Sequence, residues 1–134
     1  MFYVRLNYFD TFIHFMNGTI IVFGLFVVIH YFVEDPDKHV LAIILISVLA
    51  SMSLGTLWEI FEFLADLIIP GSNMQRFENV RTGEAFSGQA ALLDTMIDLI
   101  VDTLGAILGG TILYMDAIRK KLIINSIVFQ NIEE

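Results

Sequence analysis

Apolar residues fall into three long runs separated by polar breaks. The first extends from Phe12 to Val33, 22 residues, with His14, Asn17 and His30 as its main polar members. It stops at Glu34-Asp35-Pro36-Asp37-Lys38, a polar turn with proline as the breaker. The second covers Val40 to Ile69, 30 residues, and stops at Pro70-Gly71. As a helix it would reach about 45 Å against a hydrocarbon core of about 30 Å. Its last third, Trp58 to Ile69, must therefore tilt, enter the headgroup region or lie against protein. A polar connection, Gly71 to Ala91, carries Arg76, Glu78, Arg81 and Glu84. The third run, Leu92 to Met115, closes at Asp116 and the basic cluster Arg119-Lys120-Lys121, and the mixed tail Leu122 to Glu134 is too short to span. The pattern predicts an all-α, polytopic transmembrane protein. Its three spans lie at about 12–33, 40–69 and 92–115, with a polar loop at 71–91, in a single membrane domain over 1–134.

Composition supports the membrane reading and narrows the function. A soluble helical bundle is the alternative, but with 57% apolar residues and mean hydropathy +0.76, three such runs in 134 residues are hard to bury in one. Membrane lipids are its expected surroundings. A net charge of −8 and the lack of any basic stripe argue against nucleic acid. Without cysteine there is no disulfide framework, thiolate metal site or cysteine nucleophile. The first ten residues carry one basic residue, and the following apolar run lacks a small-residue cleavage site, so no cleavable signal peptide is expected.

Seven acids sit inside or at the edge of these spans: Asp10, Glu59, Glu62, Asp66, Asp94, Asp98 and Asp102, with no Lys or Arg inside the spans to pair with them. A carboxylate at the bilayer centre costs roughly 2.5–3.5 kcal/mol or more. These groups must therefore be protonated, hydrated through a cavity or holding a cation. Asp94, Asp98 and Asp102 follow at i, i+4 and i+8, drifting only about 80° around a helix. Glu59, Glu62 and Asp66 at i, i+3 and i+7 stay within about 60°, and Asp10, His14 and Asn17 follow at i, i+4 and i+7. The second stripe lies near the exit of its span, the third near the start of its own, and the first span begins on that same side. All three stripes converge on one half of the bilayer. As an antiparallel pair, the second and third spans would set Asp66 near Asp94, Glu62 near Asp98 and Glu59 near Asp102.

Clustered carboxylates suit a divalent cation, which removes their repulsion and takes oxygen ligands; Mg²⁺, Mn²⁺ and Ca²⁺ fit all-oxygen sites. The imidazole of His14 widens the choice to Zn²⁺ or Fe²⁺. Mg²⁺, Mn²⁺ or Zn²⁺ is the expected cofactor, on Asp10, His14, Glu59, Glu62, Asp94, Asp98 and Asp102. Arg76, Arg81 and Gln89 could then hold an anionic group, such as a phosphate, over the metal. That constellation suits hydrolysis or transfer on a lipid-linked phosphate, without a nucleophile that can be named. The bland readings are headgroup contact for Asp10, Asp66 and Asp94, hydrogen-bonding glue for Asn17 and Gln89, and a packing or interfacial aromatic for Trp58. His30 and His39 lie at the opposite end.

Gly105 and Gly109 form a G-x-x-x-G, followed by Gly110. It reads first as close helix packing and second as a homo-oligomer face. Orientation is nearly balanced: Arg5, Arg76 and Arg81 fall on one side, and Lys38, Arg119, Lys120 and Lys121 on the other. The compact basic triplet leans the second side toward the cytoplasm.

One family pattern gathers these residues. Asp10-x-x-x-His14-Phe15-x-x-Gly18, Trp58-Glu59-x-x-Glu62, Gly88-Gln89, and Leu93-Asp94-Thr95-x-x-Asp98 through Gly105-Ala106 resemble the YjdF-like bacterial inner-membrane proteins. The same residues are similar to the related VanZ-like group. The resemblance covers roughly residues 8 to 110. It implies a multi-pass protein of the bacterial inner membrane, with Asp10, His14, Glu59, Glu62, Gln89, Asp94 and Asp98 at the family's polar positions. It implies location rather than activity. Against that pattern the chain reads as shorter at its N-terminus, by an expected one or more leading spans, and Asp102 stands where the VanZ-like pattern usually has Asn. The shorter N-terminus makes oligomerisation attractive. The expected function is an intramembrane acidic site that binds a divalent cation and acts on a lipid-linked or envelope substrate. A proton- or cation-conducting module and a non-catalytic assembly subunit are the alternatives.

Overall fold

The computed structural model describes residues 9–79, 81–119 and 122–128. Helix α1 spans Phe9–Phe32, α2 Val40–Ile68 and α3 Gln89–Ala117, with a 3₁₀ turn at Pro36–His39 and a short α4 at Leu122–Ile127. Among the described residues there is no strand, only an isolated bridge between Glu78 and Ala85. Three helices are long and apolar enough to cross a membrane, as the hydropathy pattern requires. A segment in lipid can satisfy its backbone hydrogen bonds internally only as a helix or a closed barrel. The boundaries fall within three residues of those expected. The start of α3 moves back to Gln89 because Gly88 precedes it at φ 59, a conformation that favours glycine. Of the basic residues weighed for orientation, Arg5, Lys120 and Lys121 lie outside the described residues.

The packing is inverted relative to a soluble bundle. Leu45, Leu49, Leu57, Ile100, Leu104 and Ile107 are exposed, whereas His14, Ser47, Ser51, Glu59, Glu62, Asp98 and Asp102 are buried. Lipid tails are as apolar as leucine, so outward-facing side chains lose nothing there. Helix α3 is the central element: 39% of its span is buried, against 22% for each of the others.

The α1–α3 interface is made by small residues. A Cβ at Gly105 would collide with the Phe15 carbonyl, and one at Gly18 with the Asp102 carbonyl. The two helices run backbone against backbone here, and Thr19 Oγ1, 3.0 Å from the Phe15 carbonyl oxygen, reaches across to that of Gly105 at 3.1 Å. Ser51 Oγ donates from α2 to the Gly18 carbonyl at 3.0 Å. Gly109 meets Thr19 and Val22 in the same way. The glycine face thus serves packing within the chain. It is covered by α1, the close helix packing that was the first reading of the motif.

Toward the α1–α2 turn, Val22, Phe26, Ile43, Ile44, Ala106 and Leu113 form an apolar core, joined by Ile124 of α4. Asp116 docks α4 there: its carboxylate accepts from the Ile123 and Ile124 amides at 3.0 and 2.9 Å.

Candidate functional site

At the other end the three polar stripes meet. Helix α1 buries His14, Gly18, Val22, Phe26 and His30, one residue per turn, so His14 points inward. Asn17 lies off this line and is exposed. Helix α2 buries Glu59 and Glu62, and α3 buries Asp98 and Asp102.

His14 Nδ1 lies 3.1 Å from Asp102 Oδ2. A carboxylate at this distance pairs with an Nδ1–H donor, the role the contact gives that ring nitrogen. One ligand atom each from Asp10, His14 and Asp98 lie within 4.8 Å of one another. Glu59 is 4% exposed, and neither carboxylate oxygen has a hydrogen-bond partner. Gln75 approaches but donates to the Glu59 backbone carbonyl at 3.2 Å. Glu62 accepts from Trp58 Nε1 at 2.9 Å, one turn away, which gives that tryptophan a partner in the site.

The connection between α2 and α3 changes the charge balance. Arg76 reaches down to the helices: Nη2 donates to Asp10 Oδ2 at 3.1 Å and Nη1 to Asp94 Oδ1 at 3.2 Å. Its backbone is left-handed, φ 47. The loop just before it is pinned by Asp66, which accepts from Ser72 Oγ at 2.5 Å and from the Met74 and Gln75 amides at 2.7 and 2.9 Å. Several placements differ from expectation. Two of the acids, Asp10 and Asp94, have a basic partner, supplied by the loop rather than by a span. Arg76, expected as an anion contact, holds these two carboxylates. Asp66 anchors the loop and does not face Asp94. Arg81 and Gln89 are exposed, Arg81 on a turn where Asn79 Oδ1 accepts its amide, and neither joins the site.

The register also differs. Asp102 lies over Gly55, where a Cβ would come 2.6 Å from its Oδ2, rather than opposite Glu59. That is a slip of about one helical turn. Glu59 has His14, Gln75 and Thr95 around it, with Asp102 a more distant charged neighbour, and the charged neighbours of Asp98 are His14, Asp94, Asp10 and Glu59. The slip follows from volume: glycine is the residue on that face that admits a carboxylate. Asp102 therefore stands behind His14, orienting it, outside the Asp10–His14–Asp98 triangle.

A cavity of about 290 Å³ adjoins this cluster between α1 and α2, lined by His14, Gly18, Ser51, Gly55, Trp58 and Asp102. Sequence reasoning missed Gln75, Ser51 and Thr19. The polar residue beside Gly18 was the available signal for Thr19; a loop glutamine carries none.

Residues 1–119 match the family model described as "Predicted membrane protein (DUF2238)". The chain belongs to the DUF2238 family. The match takes in every acid of the site, His14 and Arg76. DUF2238 membership and the three apolar helices agree on a multi-pass membrane protein. A Thermotoga maritima protein named only "Uncharacterized protein" is 32% identical over 126 residues, covering 90% of this chain and 53% of that protein. The chain thus spans about half the length of the curated relative it matches. No solved structure matches.

Proposed function

We propose that this DUF2238 protein is a YjdF-like, VanZ-like protein of the bacterial inner membrane that binds a divalent cation at Asp10, His14 and Asp98. The observation that carries the reading is the triangle itself: two carboxylates and an imidazole within 4.8 Å of one another. Separations of this order suit Ca²⁺, bound at 2.3–2.6 Å, and also Mg²⁺ or Zn²⁺, whose opposite ligands lie about 4.2 Å apart. The imidazole favours Mn²⁺ or Zn²⁺ over Ca²⁺. Asp102 on Nδ1 of His14 is the arrangement that fixes a histidine's tautomer and leaves Nε2 to ligate. Glu59, buried without a partner, is the group a bound cation or its water would satisfy.

The substrate we infer is lipid-linked or envelope-borne, approaching through the cavity beside His14 and Asp102, where Ile21 and Leu54 supply apolar walls. A conducting path fits less well. Beyond Ser51 and Asp102 the bundle is closed by Val22, Phe26, Ile43 and Leu113, each at most 1% exposed.

Metal content of detergent-purified protein, by mass spectrometry without added metal, tests the reading. One ion per chain is expected, lost in Asp98→Asn and Glu59→Gln. Folded protein that stays metal-free after incubation with Zn²⁺, Mn²⁺ and Mg²⁺ would sink it.

A further inference from the structure

Asp10 faces two claims. Its Oδ2 accepts from Arg76 at 3.1 Å, yet Asp10 is also a corner of the triangle with His14 and Asp98. The side chains of the pair are each about one-third exposed, 36% for Arg76 and 34% for Asp10, so the guanidinium is seated at the mouth of the site. A dication on Asp10 would lie within about 5.5 Å of that guanidinium, close enough for strong like-charge repulsion. Arg76 holds Oδ2, so a cation bound through that oxygen would have to displace the guanidinium.

The surroundings favour exchange over joint occupancy. Arg76 keeps a second partner, Asp94, through Nη1. Releasing Asp10 therefore leaves the guanidinium paired rather than stranded. Asp66 holds the chain just before it through Ser72, Met74 and Gln75. The residues after it are tied by Asn73 to Glu78 and by the Phe77–Phe86 and Asn79–Glu84 backbone bonds, so displacement begins in the Arg76 side chain and loosens the loop only as far as these bonds give. The backbone of Arg76 is left-handed, an uncommon conformation for a non-glycine residue, and its amide donates to the Asn73 carbonyl at 3.3 Å.

We propose that Arg76 is a tethered internal cation that competes with the divalent ion for Asp10, so that metal binding releases one arm of the guanidinium and loosens the loop after it. This rests on the cation reading above. Metal occupancy is thereby coupled to the loop between α2 and α3, and the affinity of the site is set partly by a residue that is not a ligand.

The test uses the full chain in detergent with Mn²⁺ as the probe. Free Mn²⁺, followed by electron paramagnetic resonance, gives the affinity of the unmodified protein and of Arg76→Gln. Removing the competitor should tighten binding roughly fivefold or more. Trypsin gives a second readout that needs no variant. Cleavage after exposed Arg81 serves as the internal reference, and Mn²⁺ should raise cleavage after Arg76 several-fold relative to it. Mn²⁺ binding with an unchanged cleavage ratio and no gain in Arg76→Gln would overturn the competition while leaving the cation site intact. No Mn²⁺ or Zn²⁺ binding by either protein would overturn the cation reading and this proposal with it. Should Arg76→Gln fail to fold, the cleavage ratio in the unmodified chain decides alone.

Discussion

Near the α1–α2 turn, the three helices meet through Val22, Phe26, Ile43, Ile44 and Leu113. At the opposite end, the same helices meet through His14, Glu59, Glu62, Asp98 and Asp102. Backbone geometry and neighbouring lipid are alike in both regions, but the forces differ. The apolar end has no hydrophobic drive toward itself, since lipid would receive the same side chains equally well, so it is held by close packing. The acid end draws its side chains inward because lipid would not receive them, and burial of its charges still opposes stability unless each is paired. Pairing there is incomplete, with Glu59 and one oxygen of Asp94 left over. One end holds the bundle together, and the other is kept at the expense of stability.

Substitutions can break this division or sharpen it. The largest effect is expected where the two ends join: Gly105→Leu drives a side chain into the Phe15 carbonyl and should cost roughly 3 kcal/mol, since neither backbone can yield. Thermal unfolding in detergent would show it, and an unchanged melting temperature would refute the contact. Next comes Asp98→Asn, expected to lower metal affinity about a hundredfold while leaving stability equal or slightly higher, because a buried charge is relieved. Metal titration beside a melting curve separates the two effects, and a large loss of stability would break the comparison. Leu113→Ala should do the converse, costing about 2 kcal/mol, the low end of the soluble-core range because no transfer from water is involved, with metal binding untouched. Smallest is Thr19→Val, which removes the hydroxyl reaching Gly105 and should cost about 0.6 kcal/mol. A cost several times larger would mean that polar contacts, rather than glycine packing, hold α1 on α3.

Much of the site was legible in the chain. The i, i+4 spacing of Asp98 and Asp102 puts both on the face of α3 that turns inward, and Glu59 and Glu62 are likewise the buried pair of α2. The three stripes meet in part, since Asp10, His14 and Asp98 come within 4.8 Å of one another. Arg76 was weighed as an anion contact because a loop gives no periodicity from which to read direction. Its pairing with Asp10 and Asp94 depends on Asp66 folding the chain back, a contact between side chain and backbone amides that no spacing rule encodes. Asp102 was placed opposite Glu59 because counting residues from a shared loop assumes that both helices leave it at the same height.

Hydropathy and helical periodicity are properties of the chain in one dimension. By themselves they determined the three spans, the end of the bundle that carries the acids and the face of each helix that turns inward. Register and partner choice are properties of surfaces in contact, and only the tertiary structure decided them. Gly55 made room for Asp102, Gly18 and Gly105 brought α1 onto α3, and the loop chose which acids Arg76 would hold. The physical reason is that a missing side chain sets how closely two helices approach and at what height. Its effect depends on which atom of the neighbouring helix arrives to fill the space.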